Sequence, residues 1–481
     1  MRVTAVNSAP VASRGAYVLY WMIAARRASW SFALDHAIAR AKELERPLVV
    51  FEPLRIGYRW ASDRLHAFVL QGMRDNAAAF AKANITYLPY VERAAGEGKG
   101  LLAELAKRAC LVITDEQPGF FLPRMVAGAA SLPVLIEQVD GNGLLPLRAS
   151  DRAFPSAALF RRHLQKTLAP HLVTVPKATP LARLPSTLRD GEVASAITKR
   201  WSFTTDVDLS SLAIDHAVSP APIIGGAVAA RRVLDDFIAT KLRRYGDGHN
   251  HPDDDAASGL SPWLHFGHVS AHEVASRVWS DATWDPSRLA DAKVTGSREG
   301  WWGLPPSHES FLDELVTWRE LGYGFCFHRA DYDRYSSLPD WAQKTLGDHA
   351  TDPRPVVYTP KHLEAATTAD EVWNAAQRQL VAEGRIHNYL RMLWGKKILE
   401  WSPTPQSALA TLIELNNRYA IDGRDPNSYS GIFWTLGRFD RPWAPIRPIF
   451  GAIRYMSSTN TVKKLHIKKY LARWSAQPRL L

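Results

Sequence analysis

Polar side chains stand beside tryptophans on helical faces of the C-terminal region, a pattern that an apolar core does not require. Asn388, Arg391 and Trp394 lie three residues apart and therefore share one face of a helix. Trp394 and Trp401 are two turns apart, about 10 Å along one stripe. A buried arginine needs a carboxylate partner, and Asp422 is the obvious candidate. This face is therefore a candidate binding surface.

Two further stretches carry residues that could do chemistry. In SGLS, at 258–261, a glycine between hydroxyl residues precedes a helix, which lets backbone N–H groups approach phosphate oxygens. Glu314 and Trp318 are i,i+4 neighbours on a helix predicted over 311–327. Taken alone, the first stretch is better explained as an ordinary turn and N-cap, and the second pair by surface charge and core packing.

Helical periodicity positions these residues. Apolar residues recur at spacings of three and four from Ala375 to Leu399, which predicts helix. Pro403 and Pro405 end the pattern, and Ser402 or Thr404 can begin the next helix.

Composition limits the class of protein. The 481 residues, 46% hydrophobic and 22% charged, predict a globular chain of two or three domains. No run of 18 apolar residues exists, so no membrane span is expected, and the N-terminus lacks a cleavable signal pattern. Two cysteines fit a reducing cytoplasm. A net charge of +11 favours a polyanionic partner, and 14 of the 17 tryptophans follow residue 200.

The N-terminal region predicts a doubly wound, Rossmann-like parallel sheet. Short apolar runs alternate with amphipathic helices, and this order places helices on both faces of the sheet. Strands are predicted at 16–23, 47–53, 85–91, 111–114 and 133–139, with helices at 29–45, 66–83 and 101–109, after a loose leader at 1–15. Neither GxGxxG nor a P-loop motif is present, yet the carboxyl ends of the strands leave room for a chromophore.

Three domains are expected. Residues 1–150 form the α/β domain, the proline-rich stretch 151–225 is a connector, and 226–481 is an all-α domain that begins with a basic helix at 229–245. The polar segment 280–306 is predicted to be an insertion or exposed loop.

Long motifs of the chain resemble the photolyase/cryptochrome flavoproteins, and most closely the class II cyclobutane pyrimidine dimer photolyases. The resemblance spans nearly the whole chain and is strongest in the C-terminal half. Its motifs are SGLSPWLHFGHVS (258–270), FLDELVTWREL (311–321), VWNAAQ (372–377), GRIHNYLRMLWGKKILEWSPTP (384–405), LNNRYAIDGRDPNSYSGIFWTLG (415–437), DRPW (440–443) and IFGAIRYM (449–456).

The resemblance implies that FAD, active as FADH⁻, is bound in the helical domain. Photoexcitation by blue or near-UV light would then drive electron transfer to a flipped-out cyclobutane dimer in UV-damaged DNA and split it. The cofactor-binding residues implied are Tyr245, Ser258, Gly259, Leu260, Ser261, Arg319, Asn388, Arg391, Asp422 and Gly423.

The same resemblance assigns catalytic and DNA-binding roles. Asn416 would face flavin N5, Glu314 would stabilise the dimer, and Trp394, Trp373 and Trp401 would form the photoreduction chain in that order. The lesion-facing and DNA-facing residues implied are Trp318, Trp434, Arg441, Trp443 and Arg454. Ser428, six residues after Asp422, suits class II.

Several alternatives stay open at this point. A cryptochrome-like photoreceptor would keep the flavin without repair. A (6-4) photolyase would need a histidine proton donor beside the lesion; the sequence contains His265, His268 and His387, but none of them is at a matching lesion-facing position. The antenna site is left open to a second chromophore of unknown identity, or to none. A cytoplasmic, nucleoid-associated monomer is expected, and no metal.

Overall fold

A mostly parallel six-stranded sheet lies in the N-terminal part of the computed structural model, which describes residues 1–289 and 292–475. The strands are β1 (Val3–Ala5), β2 (Tyr17–Trp21), β3 (Leu48–Leu54), β4 (Thr86–Val91), β5 (Ala109–Glu116) and β6 (Ile136–Asp140), in the order β1-β6-β5-β2-β3-β4. Only the β1–β6 pair is antiparallel among these strands.

Helices make up most of the remaining regular structure. They are α1 (Phe32–Glu43), α2 (Asp63–Lys82), α3 (Leu101–Ala106), α4 (Leu122–Gly128), α5 (Ala157–Thr167), α6 (Ser195–Arg200), α7 (Ala227–Asp236), α8 (Tyr245–Gly248), α9 (Ser261–His265), α10 (Ala271–Asp281), α11 (Pro306–Leu312), α12 (Arg319–His328), α13 (Asp340–Asp348), α14 (Pro360–Glu364), α15 (Glu371–Glu383), α16 (Asn388–Trp401), α17 (Pro405–Tyr419), α18 (Pro426–Thr435), α19 (Ser458–Lys464) and α20 (Lys468–Trp474). Within the described ranges, no helix is both long and apolar enough to cross a membrane.

Strand β2 shows why the predicted sheet forms. All five of its residues are buried, because Leu19 packs into one apolar layer while Val18 and Tyr20 pack into the layer on the opposite face. A strand covered on both faces reads as a continuous apolar run, which is the pattern in the sequence. The predicted α/β fold class with a helical C-terminal part is confirmed.

The carboxyl edge of β2 and β5 is closed by the protein itself. Asp115 Oδ2 accepts hydrogen bonds from the backbone N–H groups of Ile23, Ala24 and Ala25 at 2.9, 2.8 and 3.0 Å, and its Oδ1 accepts from Tyr20. Ligands of such sheets lie where the strand order reverses. In this chain the Asp115 carboxylate accepts from the backbone N–H groups that follow β2, between β2 and β5, where the strand order reverses.

Four sequence expectations need correction. The loose leader at 1–15 contains edge strand β1, which at three residues is too short to give a periodic signal. The helix over 311–327 is interrupted by a π-helical turn at Asp313–Trp318, and the one over 229–245 by another at Phe237–Lys241. In the segment 280–306, Trp301 and Trp302 are buried against each other, because large indoles gain most from burial. Residues 290 and 291 of that segment lie outside the described residues.

The helical run beginning at Ala375 is divided between two helices. Helix α15 ends at Glu383 and is capped by Gly384, which adopts the left-handed conformation with φ of 69°, and α16 starts after His387. The predicted start at Thr404 is confirmed, since its side chain accepts from the Ser407 N–H and caps α17.

The chain divides into two compact units. One contains Met1–Ser150, Thr167–Asp235 and Leu260–Ala290, and the other contains Asp151–Lys166, Asp236–Gly259 and Asp291–Leu481. The expected division into 1–150, 151–225 and 226–481 stays a prediction. Apart from Leu260 and Ser261, the site residues predicted above belong to the second unit.

Candidate active site

Three indoles are in contact between α15 and α16. The rings of Trp373 and Trp394 are almost parallel, 3° apart in orientation with centroids 6.4 Å apart, and those of Trp373 and Trp401 meet edge to face at 5.5 Å. Trp373 therefore lies between the other two. Trp373 Nε1 donates to the Trp394 carbonyl oxygen at 3.0 Å, and Trp394 Nε1 donates to Gln377 at 2.9 Å, so both rings are held in place.

An arginine on α16, one turn before Trp394, is paired with a carboxylate from the connection between α17 and α18. Arg391 donates to the two oxygens of Asp422 at 2.8 and 3.3 Å, which is the pairing expected from the sequence. The two side chains are 22% and 11% exposed, so the pair is largely buried but remains partly accessible to solvent. A bidentate pair fixes the direction of the guanidinium plane. Helix α16 therefore presents an oriented cation beside the row of indoles.

An amide network orients Asn416 at the end of α17. Asn417 Oδ1 accepts from the backbone N–H of Arg424 at 2.9 Å, which identifies it as an oxygen. Asn416 Nδ2 then donates to that oxygen at 3.2 Å and to Ser428 Oγ at 2.8 Å. Within the described part of the chain, Asn416 Oδ1 accepts no hydrogen bond. The buried amide therefore presents an acceptor.

The first turn of α16 offers a further polar group. His387 Nδ1 is buried without a hydrogen-bond partner among the described residues, and burial lowers the pKa of His387 to about 4, with the nearby His249 charge as a smaller cause. Asn388 follows it and is exposed. A helix N-terminus with unpartnered polar groups favours an anionic or hydrogen-bonding ligand.

Glu314 lies on the π-helical turn and is half-buried. Burial, and secondarily the Asp313 carboxylate, raises the pKa of Glu314 to about 7. Asp313 itself is tied to Arg161 by hydrogen bonds of 2.7 and 2.8 Å. A carboxyl that is desolvated yet partly accessible can keep a proton near neutral pH.

The neighbours of Glu314 on the helix have different environments. Trp318 is half-buried, whereas Arg319 is buried with its guanidinium 4.2 Å from the ring centroid of Tyr323. Helix α12 approaches α18 closely at Gly322, where a Cβ would lie 2.8 Å from the Asn427 Cα. Glycine is therefore required at position 322.

Asp440 organises a basic and aromatic loop. Its oxygens accept from Arg454 at 2.8 and 3.1 Å and from Trp443 Nε1 at 3.1 Å. The Arg454 guanidinium lies 4.0 Å from the Trp443 ring centroid, and that of the exposed Arg441 lies 4.7 Å from it. The structure thus brings together the three predicted DNA-facing residues. Asp440 was missed as a site residue, although it opens the DRPW motif.

The remaining predicted cofactor residues are more dispersed. Tyr245 is buried and stacks on His249 at 4.5 Å. Gly259 has φ of 69°, and a Cβ there would meet only Arg385 Nη1, at 3.8 Å, so its surroundings are open. Leu260 is buried, Ser261 begins α9, and Ser258 is half-buried. Gly423 needs to be glycine, since a Cβ would lie 2.7 Å from the Asn416 carbonyl oxygen.

Sequence reasoning also missed Gln377 and Lys396. Gln377 lies one turn after Trp373 in the VWNAAQ motif and holds the Trp394 ring, so its spacing was the available signal. Lys396 is fully buried beside Trp434, and nothing in its sequence distinguishes it from exposed lysines. Contacting indoles on a helix that also carries an oriented arginine suit electron transfer toward a bound ligand.

The chain is similar to known proteins over nearly its whole length. No family model matches the chain. A deoxyribodipyrimidine photo-lyase of Methanothermobacter thermautotrophicus is 34% identical over 478 residues, which span 98% of this chain and 97% of that one. The proteins of the same name from Arabidopsis thaliana and Potorous tridactylus are each 33% identical, over 95% and 94% of this chain and 88% and 80% of theirs.

A solved structure shows the same fold. The crystal structure of a bacterial class III photolyase from Agrobacterium tumefaciens superposes with a TM-score of 0.65 at 17% identity, over 96% of this chain and 86% of that one. The chain belongs to the deoxyribodipyrimidine photo-lyase family. The predicted family and the predicted lyase activity are confirmed, while the predicted membership of class II stays a prediction.

Proposed function

We propose that this chain is a class II photolyase that splits cyclobutane pyrimidine dimers in UV-damaged DNA, with FAD as its cofactor. Its similarity to named deoxyribodipyrimidine photo-lyases over nearly the whole chain carries this conclusion. Light-dependent DNA repair is the activity of the family, and the geometry supports the finer assignments one at a time.

The residues present fit a flavin. Asn416 Oδ1 and His387 Nδ1 are polar atoms with no hydrogen-bond partner among the described residues, and the Arg391–Asp422 pair is only partly covered. Asn388, Arg391, Asp422 and Asn416 would hold the isoalloxazine, and Tyr245 with 258–261 would hold the phosphates. When bound and reduced, the flavin supplies one electron to the dimer on excitation by light.

Glu314 would hold the proton that the dimer needs. A carboxyl whose pKa lies at about 7 is substantially protonated at neutral pH, so its O–H can donate to a carbonyl oxygen of the lesion. The pair Arg161–Asp313 fixes the turn that carries it. Trp318 and Trp434, both half-buried, would provide flat walls for the extruded bases.

The three contacting indoles would relay electrons toward the cofactor site. The contacts support the proposed order Trp401, Trp373 and Trp394, because Trp373 touches both of the others. The relay would prepare the reduced cofactor before repair begins.

The loop organised by Asp440 would face the DNA. Arg441 and Arg454 would neutralise phosphates, and Trp443 would fill the gap that the flipped bases leave. We further propose a cytoplasmic monomer that associates with the nucleoid. An antenna chromophore in the α/β part stays a proposal without an assigned ligand.

Two of the three histidines named above do not favour the (6-4) alternative. Burial lowers the pKa of His268 to about 3 and that of His387 to about 4, so neither is charged at neutral pH. Both are therefore poor general acids for that chemistry.

Lesion specificity tests the proposal. The photoreduced protein is mixed with two oligonucleotides, one carrying a thymine cyclobutane dimer and the other a (6-4) photoproduct, and half of each is kept dark. We expect only the illuminated cyclobutane dimer to revert to thymines. Reversal of the (6-4) lesion, or of neither, would contradict the proposal.

A further inference from the structure

Lys396 is completely buried on α16, which is unusual for a lysine. Buried lysines are normally paired with a carboxylate, but within the described residues no carboxylate oxygen lies within ion-pair distance of Lys396 Nζ. The ammonium instead donates to the Thr435 carbonyl oxygen at 2.7 Å. A buried ionisable group without an ion-pair partner is a candidate for a functional role.

The surroundings of Lys396 point to Trp434. Lys396 Nζ lies 4.7 Å from the centroid of the Trp434 ring, and the Arg454 guanidinium lies 5.5 Å from it. Arg454 is neutralised by Asp440, whereas Lys396 is not paired. When protonated, Lys396 therefore places a net positive charge against this indole, which attracts the neutral ring.

The indoles of the proposed relay are in a different electrostatic environment. Among the described residues, no cation lies over the ring of Trp373 or Trp394, and Trp394 Nε1 donates to a neutral amide. Lys397 lies 5.4 Å from the Trp401 ring centroid, but it is paired with Glu400 at 2.7 Å. The unpaired cation is thus found at the lesion wall and not along the relay.

We propose that Lys396 is a positioning residue that holds the Trp434 indole in place and keeps it from being oxidised, so that the photoreducing electron comes from Trp394. This inference rests on the proposed role of Trp434 as a lesion wall. An indole that gives up one electron becomes a radical cation, and a neighbouring ammonium repels that charge while it attracts the neutral ring. Oxidation is therefore directed to the relay, and the wall that contacts the dimer is spared.

Burial makes this charge responsive to pH. It lowers the pKa of Lys396 from 10.5 to about 7, while the Asp440 charge raises it and the Arg454 charge lowers it. These two groups come from the loop that follows α18, and Lys397 on the same helix is paired with Glu400. The Trp434 ring should therefore sense a titration near neutral pH.

The first test measures the contact without DNA or light. In full-length protein labelled with 5-fluorotryptophan, the Trp434 resonance is assigned from its loss in Trp434→Phe. We expect its ¹⁹F shift to move with a midpoint of about pH 7, and to stop titrating in Lys396→Met. Lys397→Met is the matched control and should leave the titration intact. A titration that persists in Lys396→Met would overturn the proposal.

The second test measures the choice of electron donor. Trp394→Phe removes the first indole of the relay, so photoreduction of bound FAD should be slow. Adding Lys396→Met to Trp394→Phe should raise the photoreduction rate about tenfold, because Trp434 then becomes the electron donor. Adding Lys397→Met instead should leave the rate slow. Equal rates in the two double variants would overturn the redox part. The role of Trp434 as a lesion wall is tested separately, by measuring repair with chemically reduced Trp434→Phe. A failure of the proposed function can therefore be distinguished from a failure of this inference.

Discussion

Replacing Glu314 by glutamine should remove a pH dependence from both stability and repair. The amide has nearly the shape of the protonated carboxyl and keeps a donor, but it cannot ionise. The half-buried carboxyl of the wild-type protein loses its proton with a pKa of about 7, against 4.5 for an ordinary glutamate. The substitution therefore separates the cost of the charge from the loss of the side chain.

The size of the effect follows from the difference between the two pKa values, which corresponds to about 3 kcal/mol. Below about pH 4.5 the carboxyl is neutral in the folded and unfolded chains and contributes no difference. Between that pH and about 7 the folded chain binds more protons than the unfolded chain, so stability falls as pH rises. Above about pH 7 the full cost is present, and glutamine should be more stable by about 3 kcal/mol.

Urea unfolding at about pH 5 and about pH 8.5 measures this difference, with Glu299→Gln as the control because that side chain is 72% exposed. Repair by photoreduced protein is measured over the same range. Wild-type repair should fall as Glu314 ionises, and Glu314→Gln repair should stay level. Equal pH profiles of stability and repair in the wild-type and Glu314→Gln proteins would refute the reasoning.

Three further outcomes are expected. Trp394→Phe should slow photoreduction, followed by bleaching of the flavin absorbance, while chemically reduced protein still repairs dimers; loss of both would place Trp394 in repair itself. Asp422→Ala leaves Arg391 half-buried without its partner. It should lower the FAD content of the purified protein, and it should lower the free energy of unfolding by about 2 kcal/mol. An unchanged FAD content would show that the pair does not contribute to FAD binding. Gly395→Ala places a Cβ 2.5 Å from Thr435 Cγ2 and should destabilise the protein by about 1–3 kcal/mol in urea unfolding. An unchanged urea midpoint would mean that α16 and α18 can move apart without an energetic cost.

The sequence predicted what local patterns encode. Strand β2 was visible because burial on both faces requires a continuous apolar run, and the Thr404 cap was visible because a hydroxyl precedes proline at a helix start. The Arg391–Asp422 pair followed from the need to neutralise a covered guanidinium. Strand β1 was missed because a three-residue exposed edge has no such pattern.

What escaped prediction depends on tertiary contacts. The π-helical turn that carries Glu314 breaks a helical period that is otherwise regular in sequence. Two consecutive lysines in a sequence suggest a solvent-exposed pair. The fold instead buries Lys396, while Lys397 forms an ion pair with Glu400. The roles of the matched residues came from family resemblance, since tryptophans at helical spacing are equally compatible with a packed core.

Light-dependent repair of a defined lesion tests the central claim most directly. A photoreduced sample is given an oligonucleotide with one thymine cyclobutane dimer, illuminated with near-UV or blue light, and compared with a dark sample by counting recovered thymines. We expect recovery only in the light, and a lower yield from Glu314→Ala. A protein that binds FAD, photoreduces and still leaves the dimer intact would contradict the account.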